Sequence, residues 1–346
     1  MRLWGPGLSA LTVRGRVRQG RRGGAVLYGL AIAGLCMLLP DAAAAGKYPS
    51  RPITMIVPFP PGGPTDVIAR LLLERLASSL GQPVLIENRP GGTGGADGIM
   101  AAAGSAPDGY TLFVGTPGPL AIAPAVYPKI GYDPVKTFAP VAMVAISPQV
   151  LTVTSSLPAK SVHDLIVYAK AKPGKIRYAS PGYGTQPHLL GELLKTTAAV
   201  KLVHVPYDGT APVLVDLLSG RVQVYFTGPA VIAPHIAGGR LRALAVASES
   251  RARLLPDVPT MIESGFGRFI ANYWIGVAAP IGTSPHVINR LNAAINDTLR
   301  AADVQANLGK LGAEPKIGTP QEAAAFSAAE AQKWAVVAKA AGVRGP

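Results

Sequence analysis

Short apolar runs of about five residues alternate along this chain with longer stretches whose apolar positions recur every three to four residues, the pattern of an α/β protein. The first unit is the clearest. Residues 53–57, Ile-Thr-Met-Ile-Val, are rich in β-branched side chains and predict a buried parallel strand. Residues 58–64, Pro-Phe-Pro-Pro-Gly-Gly-Pro, forbid regular structure, and Gly62-Gly63 lets the backbone come close to whatever sits above it. Helical periodicity then runs from Val67 to Ala77, with Thr65 or Asp66 placed to cap its first free N–H groups. A helix N-terminus behind a glycine turn, at the carboxyl end of a parallel strand, favours a small anion such as a carboxylate. A plain strand-to-helix turn without a ligand explains the same residues equally well.

The alternation continues. Residues 83–87 and 110–115 predict strands, with a helix from 98 to 103 between them. Residues 141–146 and 149–153 are strand-like runs interrupted by Ser147-Pro148, a first crossing between two lobes. Beyond it the spacing predicts helices over 161–171, 187–196 and 212–219, and strands over 176–180, 202–206, 222–226 and 243–247. Residues 269–278 form a return crossing, and helices over 285–301 and 320–341 should pack back on the first lobe. A second strand–glycine loop–helix unit lies at 180–188, so two such loops could face each other across a cleft.

The N-terminus reads as an export signal. Arg14, Arg16, Arg18, Arg21 and Arg22 precede an apolar run over 25–39, and Ala43-x-Ala45 fits a signal peptidase site before Gly46. The run is short for a permanent anchor, which needs about 20 apolar residues. Cleavage after Ala45 removes Cys36, the only cysteine, which suits an oxidising compartment and excludes thiolate chemistry and disulfides. The formal charge of +14 falls to +9 on cleavage, leaving 27 basic and 18 acidic residues. Those basic residues are scattered rather than striped and lack interleaved aromatics, which argues against nucleic acid.

Catalytic and metal-binding patterns are missing from the sequence. No Lys follows Gly62-Gly63 as a phosphate-binding loop requires, and Asp97 stands where a dinucleotide fold needs its third glycine. The five histidines, His163, His188, His204, His235 and His286, form no ligand motif, and there is no Gly-x-Ser-x-Gly elbow. No cofactor, metal or catalytic residue is expected. Asp66 is left three roles, as a base, as a partner for an ammonium group, or as a helix cap.

Nine segments in order along residues 48–342 resemble the Bug-type periplasmic solute receptors of tripartite tricarboxylate transporters. Among them are Pro58-Phe-Pro-Pro-Gly-Gly-Pro-Thr-Asp66, Glu87-Asn-Arg-Pro-Gly-Gly92, Pro107-Asp-Gly-Tyr-Thr-Leu112, His204-Val-Pro-Tyr207 and Leu255-Pro-Asp-Val-Pro-Thr260. The resemblance implies an α/β, two-lobed periplasmic binding protein fold of type II, its lobes joined by two crossover strands. Lobe 1 would comprise 46–146 plus 271–346 and lobe 2 would comprise 147–270, after a signal peptide over 1–45. It implies a monomeric periplasmic receptor that binds a small carboxylate and delivers it to a two-subunit membrane permease. Carried over residue by residue, it assigns ligand contacts to Phe59, Gly62, Gly63, Thr65 and Asp66, to Thr116, to Ser180, Gly182, Gly184, Thr185 and His188, and to Asp208. Asp208 stands where that family's Pro-Tyr-x-Gly motif commonly has Lys, Thr185 where Ser is usual, and Ala123 where Asn is usual. These departures bear on ligand choice. A periplasmic enzyme or a signalling receptor on the same scaffold is the alternative, because a fold does not fix a function.

Overall fold

The computed structural model describes residues 48–91, 95–127, 129–267 and 269–345. The predicted signal segment lies outside them. Two mixed sheets organise the chain. Among the described residues the first has six strands and the second five. In the first, β1 (Ile53–Val57) pairs in parallel with β2 (Val84–Asn88) and β3 (Thr111–Gly115). β10 (Asn272–Pro280) enters antiparallel between β3 and β4 (Phe138–Pro148), and the short β11 (Glu314–Pro315) closes the far edge. In the second, β6 (Ile176–Ser180) pairs in parallel with β7 (Leu202–Pro206) and β8 (Val224–Thr227). β5 (Val150–Thr154) lies antiparallel between β8 and β9 (Leu241–Val246).

The two sheets share one plan. In each, the first parallel strand lies between its second and third, and an antiparallel strand supplied by a crossover separates the third from the fourth. Strand order therefore reverses at β1 and at β6, and open α/β sheets bind ligands beyond the carboxyl ends of strands at such reversals.

The chain passes between sheets twice. Gln149 alone separates β4 from β5, and the predicted break at Ser147-Pro148 is absorbed into β4, where Ser147 and Pro148 pair with Tyr273 and Asn272. The return passage is bonded to the outward one: Ala247 N–H donates to Gln149 O (2.7 Å), and Ala271 N–H donates to Ala247 O (2.8 Å).

Nine helices of eight residues or more cover the sheets among the described residues: α1 (Pro64–Leu80), α2 (Ala96–Ala103), α3 (Val162–Ala171), α4 (Gln186–Ala198), α5 (Thr210–Ser219), α6 (Pro229–Ala237), α7 (Pro285–Arg300), α8 (Ala302–Lys310) and α9 (Pro320–Ala340). The hydrophobic pattern does not predict α6, α8 or β11. Pro229 and Pro234 disguise α6, although Pro229 sits harmlessly in its first turn. α8 buries only Val304 and Leu308, too few for a periodic signal. α9 packs on β4, as expected for a helix returning to the first sheet, and also on α4 of the second. A buried carboxylate fixes it there. Glu330 Oε2 accepts from the indole N–H groups of Trp334 (2.9 Å) and Trp274 (3.2 Å), and both rings are fully buried.

Candidate functional site

The loop after β1 is held by Asp66. The expected cap does not form: Gly63 occupies the N-cap position of α1 with no side-chain bond, Pro64 fills the first helical position, and Thr65 and Asp66 lie inside the first turn. Asp66, 2 % exposed, turns back on the loop instead. Its Oδ2 accepts from Gly62 N–H (2.8 Å) and Arg70 Nε (2.9 Å), and its Oδ1 from Asn88 Nδ2 (2.9 Å). The same Asn88 amide donates to Phe59 O (3.0 Å), so one carboxylate and one amide fix the loop over residues 59–66. Burial alone would raise the Asp66 pKa, but hydrogen bonds from Arg70, Gly62 and Asn88 outweigh it and hold the group below the usual carboxylate range. Gly62 is at φ +82°, a conformation that favours glycine.

Hydroxyls line the middle of the site. Thr65 Oγ1 lies 3.1 Å from Tyr273 Oη, and the Thr116 hydroxyl bonds the same phenol. Thr65 and Thr116 are 3 % and 1 % exposed. On the second sheet, Tyr225 Oη is bonded by Thr210 and Thr227, and the two phenols are near enough to interact electrostatically. Burial raises the pKa of both, so they are neutral hydroxyls at neutral pH.

The loop after β6 meets this group from the other side. A methyl group at Gly118 would stand 3.8 Å from Gly184 O, and one at Gly184 would stand 2.7 Å from Tyr127 Cε2, so only glycine fits at 184. Gln186 Nε2 donates to Asn272 O (2.9 Å), tying the start of α4 to the first residue of β10. That bond orients the amide and leaves Gln186 Oε1 buried without a protein partner. Tyr127 Oη and His204 Nδ1 are also unpartnered among the described residues. Buried polar atoms are rarely left so unless a ligand or solvent completes them.

Ser180 and Thr185 are engaged locally: the Thr185 hydroxyl donates to Gly182 O (2.7 Å), as does that of Ser180 (2.9 Å). His204 Nε2 lies 2.6 Å from Ser180 Oγ. The hydroxyl and the ring nitrogen share one hydrogen bond. His188 receives the Gly184 N–H at Nδ1 (3.2 Å), so its proton is on Nε2. The two imidazoles stack at 4.0 Å, with Tyr178 flat against His204 and Tyr183 edge-on to both. Asp208 is exposed in the turn before α5. The structure thus brings Phe59, Gly62, Thr65, Asp66 and Thr116 round one side, and Ser180, Gly182, Gly184, Thr185 and His188 round the other. Tyr273, Tyr225, Gln186, Asn88 and His204 join them although the sequence alone gives them no role.

Burial, with smaller contributions from the other imidazole and Lys195, lowers His204 to about 3. Burial likewise lowers His188 to about 4, against the opposing pull of Glu192. Both values lie below the unfolded value of about 6.5, so the unfolded chain binds more protons between them. Stability should be full above about pH 6.5 and fall with acid at up to about 1.4 kcal/mol per pH unit for each histidine. Urea midpoints between about pH 6.5 and 4.5 check this, and His188→Asn should flatten the slope. A wild-type midpoint constant across that window would contradict neutral burial.

Four helices starting near these loops, α1, α4, α5 and α6, have no side-chain acceptor on their first N–H groups. Of the other five, α3, α7 and α9 are capped by Ser161, Ser284 and Thr319, while α2 and α8 have no side-chain cap. No Lys or Arg lies within residues 58–63, 115–118, 181–185 or 207–209. These four loops offer backbone donors, hydroxyls and dipoles to an anion and carry no cation of their own.

The profile of the tripartite tricarboxylate transporter family receptor matches residues 68–343. Protein BugT of Bordetella pertussis (strain Tohama I) is 43% identical over 321 residues, covering 91% of this chain and 98% of BugT. Among solved structures, R. palustris Rpa4515 with adipate is 39% identical, with a TM-score of 0.79 over 86% of this chain and 99% of that one. MatC (Rpa3494) from Rhodopseudomonas palustris with bound malate is 34% identical, with a TM-score of 0.78 over 84% and 99%. The chain belongs to the tripartite tricarboxylate transporter receptor family, whose members are periplasmic solute-binding receptors.

Proposed function

We propose that this protein is exported, matures at Gly46, and binds a small carboxylate between its two sheets as a monomeric, non-catalytic receptor for a two-subunit membrane permease. The observation that carries the ligand class is that the four helices starting at the loops, α1, α4, α5 and α6, leave their first N–H groups without side-chain acceptors. Adipate and malate on two similar proteins support the same class. The two sheets act as lobes, and the Gly118–Gly184 approach and the Gln186–Asn272 bond belong to the state in which they are closed.

Carboxylates should therefore stabilise the protein and their amides should not. A carboxylate at about 100 times its Kd raises stability by roughly 2.7 kcal/mol, readable as a rise in Tm across a panel of mono-, di- and tricarboxylates. Equal shifts from the neutral amides would refute an anion site. Gly63→Val locates the site within the fold. Gly63 has extended backbone, φ −72° and ψ 164°, and a side chain there would approach only Pro60 O, at 3.6 Å. The variant should keep its Tm and lose binding, since a β-branched group would crowd the helix N-terminus. Unchanged affinity would remove this loop from the site.

A further inference from the structure

Charge is unevenly placed on this molecule. Residues 150–246, which build the second sheet, carry ten Lys and Arg against four Asp and Glu, whereas the rest of 48–346 carries sixteen against fourteen. The excess gathers at one edge. Backbone hydrogen bonds align the segments at the N-terminal ends of the parallel strands: Gly174 N–H to Lys201 O (3.0 Å), Gln223 N–H to Arg177 O (2.9 Å), Thr154 N–H to Gln223 O (3.1 Å) and Ser155 N–H to Arg240 O (3.1 Å). These bonds bring Lys172, Lys175, Arg177, Lys201 and Arg240 onto a single rim, all exposed. None of the five pairs with an acid among the described residues. Of the ten basic residues in the stretch only Lys195 and Arg221 do, against nine elsewhere.

The rim also holds a pocket of about 240 Å³, lined by Ser156, Tyr168, Lys175 and Gln223 among others, with no acid in its wall. Lys172 Nζ donates to Tyr168 Oη (3.2 Å) and lies 4.7 Å from its ring centre, which sets a second cation beside the pocket. The candidate ligand loops follow the C-terminal ends of the same strands, so rim and solute site lie at opposite edges of the sheet.

We propose that this rim docks on an anionic membrane surface, with a phospholipid headgroup phosphate seated against Lys172, Lys175 and Tyr168. Long unpaired cations round a headgroup-sized pocket suit diffuse negative charge, which attracts each Lys or Arg additively and fades with salt. Docking through the edge opposite the solute loops leaves those loops free, so membrane binding is independent of whether solute is present.

The test uses the mature full-length protein and sedimentation with vesicles of phosphatidylcholine, alone or with about 30 mol % phosphatidylglycerol. Binding is expected only to the anionic vesicles, weakened at least about 10-fold by 0.5 M salt and unchanged by carboxylates. The triple variant Lys172→Glu, Lys175→Glu, Lys201→Glu should lose it at least about 10-fold while keeping any carboxylate-induced Tm shift. The control Lys310→Glu, Lys316→Glu, Lys339→Glu changes the net charge equally and should bind as wild type. Equal losses in the two triple variants, or equal binding to neutral vesicles, would overturn the proposal. So would binding of inorganic phosphate without binding of vesicles. Absent vesicle binding with a loss of solute uptake in the rim variant would assign the rim to an acidic protein face instead. Loss of the Tm shift in wild type would bear only on the solute site.

Discussion

Asp66→Ala should unfold at a urea midpoint corresponding to about 2–3 kcal/mol less stability, and should weaken carboxylate binding by at least about 10-fold. The side chain it removes is buried and accepts three hydrogen bonds, one of them from a guanidinium. Arg70 is half exposed and returns to water at little cost, which keeps the loss below that of a fully buried ion pair. The Gly62 N–H and one N–H of the Asn88 amide lose their acceptor inside the protein, while the other still reaches Phe59 O. Asp66→Asn should fare almost as badly, because whichever way the amide turns, a donor meets a donor. A role in holding a ligand ammonium group predicts something different, namely lost binding with unchanged stability. The pH dependence has a definite sign. The folded pKa lies below 3.8, so this stabilisation is complete above that value and disappears as pH falls through the lowered one. An Asp66→Asn protein as stable as wild type at neutral pH would show that the loop is not pinned this way.

Glu330→Ala should cost more, about 3–5 kcal/mol. Two fully buried indoles lose their common acceptor, and the deleted side chain leaves a cavity between β10 and α9. Glu330→Gln can keep its oxygen facing both indoles and give up only the ion pair with Lys333, which is 36 % exposed, so a loss under about 1.5 kcal/mol is expected. Urea titration measures both. Tryptophan emission adds an independent readout, because Trp274 and Trp334 are two of the three tryptophans in the chain. Similar losses in the Ala and Gln variants would mean that charge, rather than the shared acceptor, is what matters at this position.

Strand-and-helix alternation was legible because runs such as 53–57 combine β-branched composition with adjacent turn chemistry. The two loops at the strand-order reversals were legible for the same reason, since glycine and proline announce them. What pins those loops was not. Asp66 looks like a cap from local sequence, and only the arrival of Asn88, 22 residues later, shows why it turns back toward Gly62. Tyr273 read as part of a crossing strand, and its meeting with Thr65 spans 208 residues, beyond any local pattern. His188 was singled out, whereas its stacking partner His204 resembled an ordinary strand residue. The hydroxyls of Ser180 and Thr185, which the resemblance assigns to ligand contact, both donate to Gly182 O, a local pairing that the sequence does not announce.

The insertion of β10 between β3 and β4 governs the order in which this protein can be made. A chain delivered end first, from a ribosome or a translocation pore, presents β1 to β4 long before residue 280 emerges. Until then β3 and β4 have no strand between them, and the indole of Trp274 and the carboxylate of Glu330 are still to come. The first sheet cannot close until the second has been threaded through, so synthesis of half the sequence yields no finished half of the protein. Pairings of such wide separation close slowly and leave open strand edges in the interval. C-terminal truncations ending before β10 should therefore aggregate rather than yield a smaller folded domain, and native structure should appear only once nearly the whole chain is present.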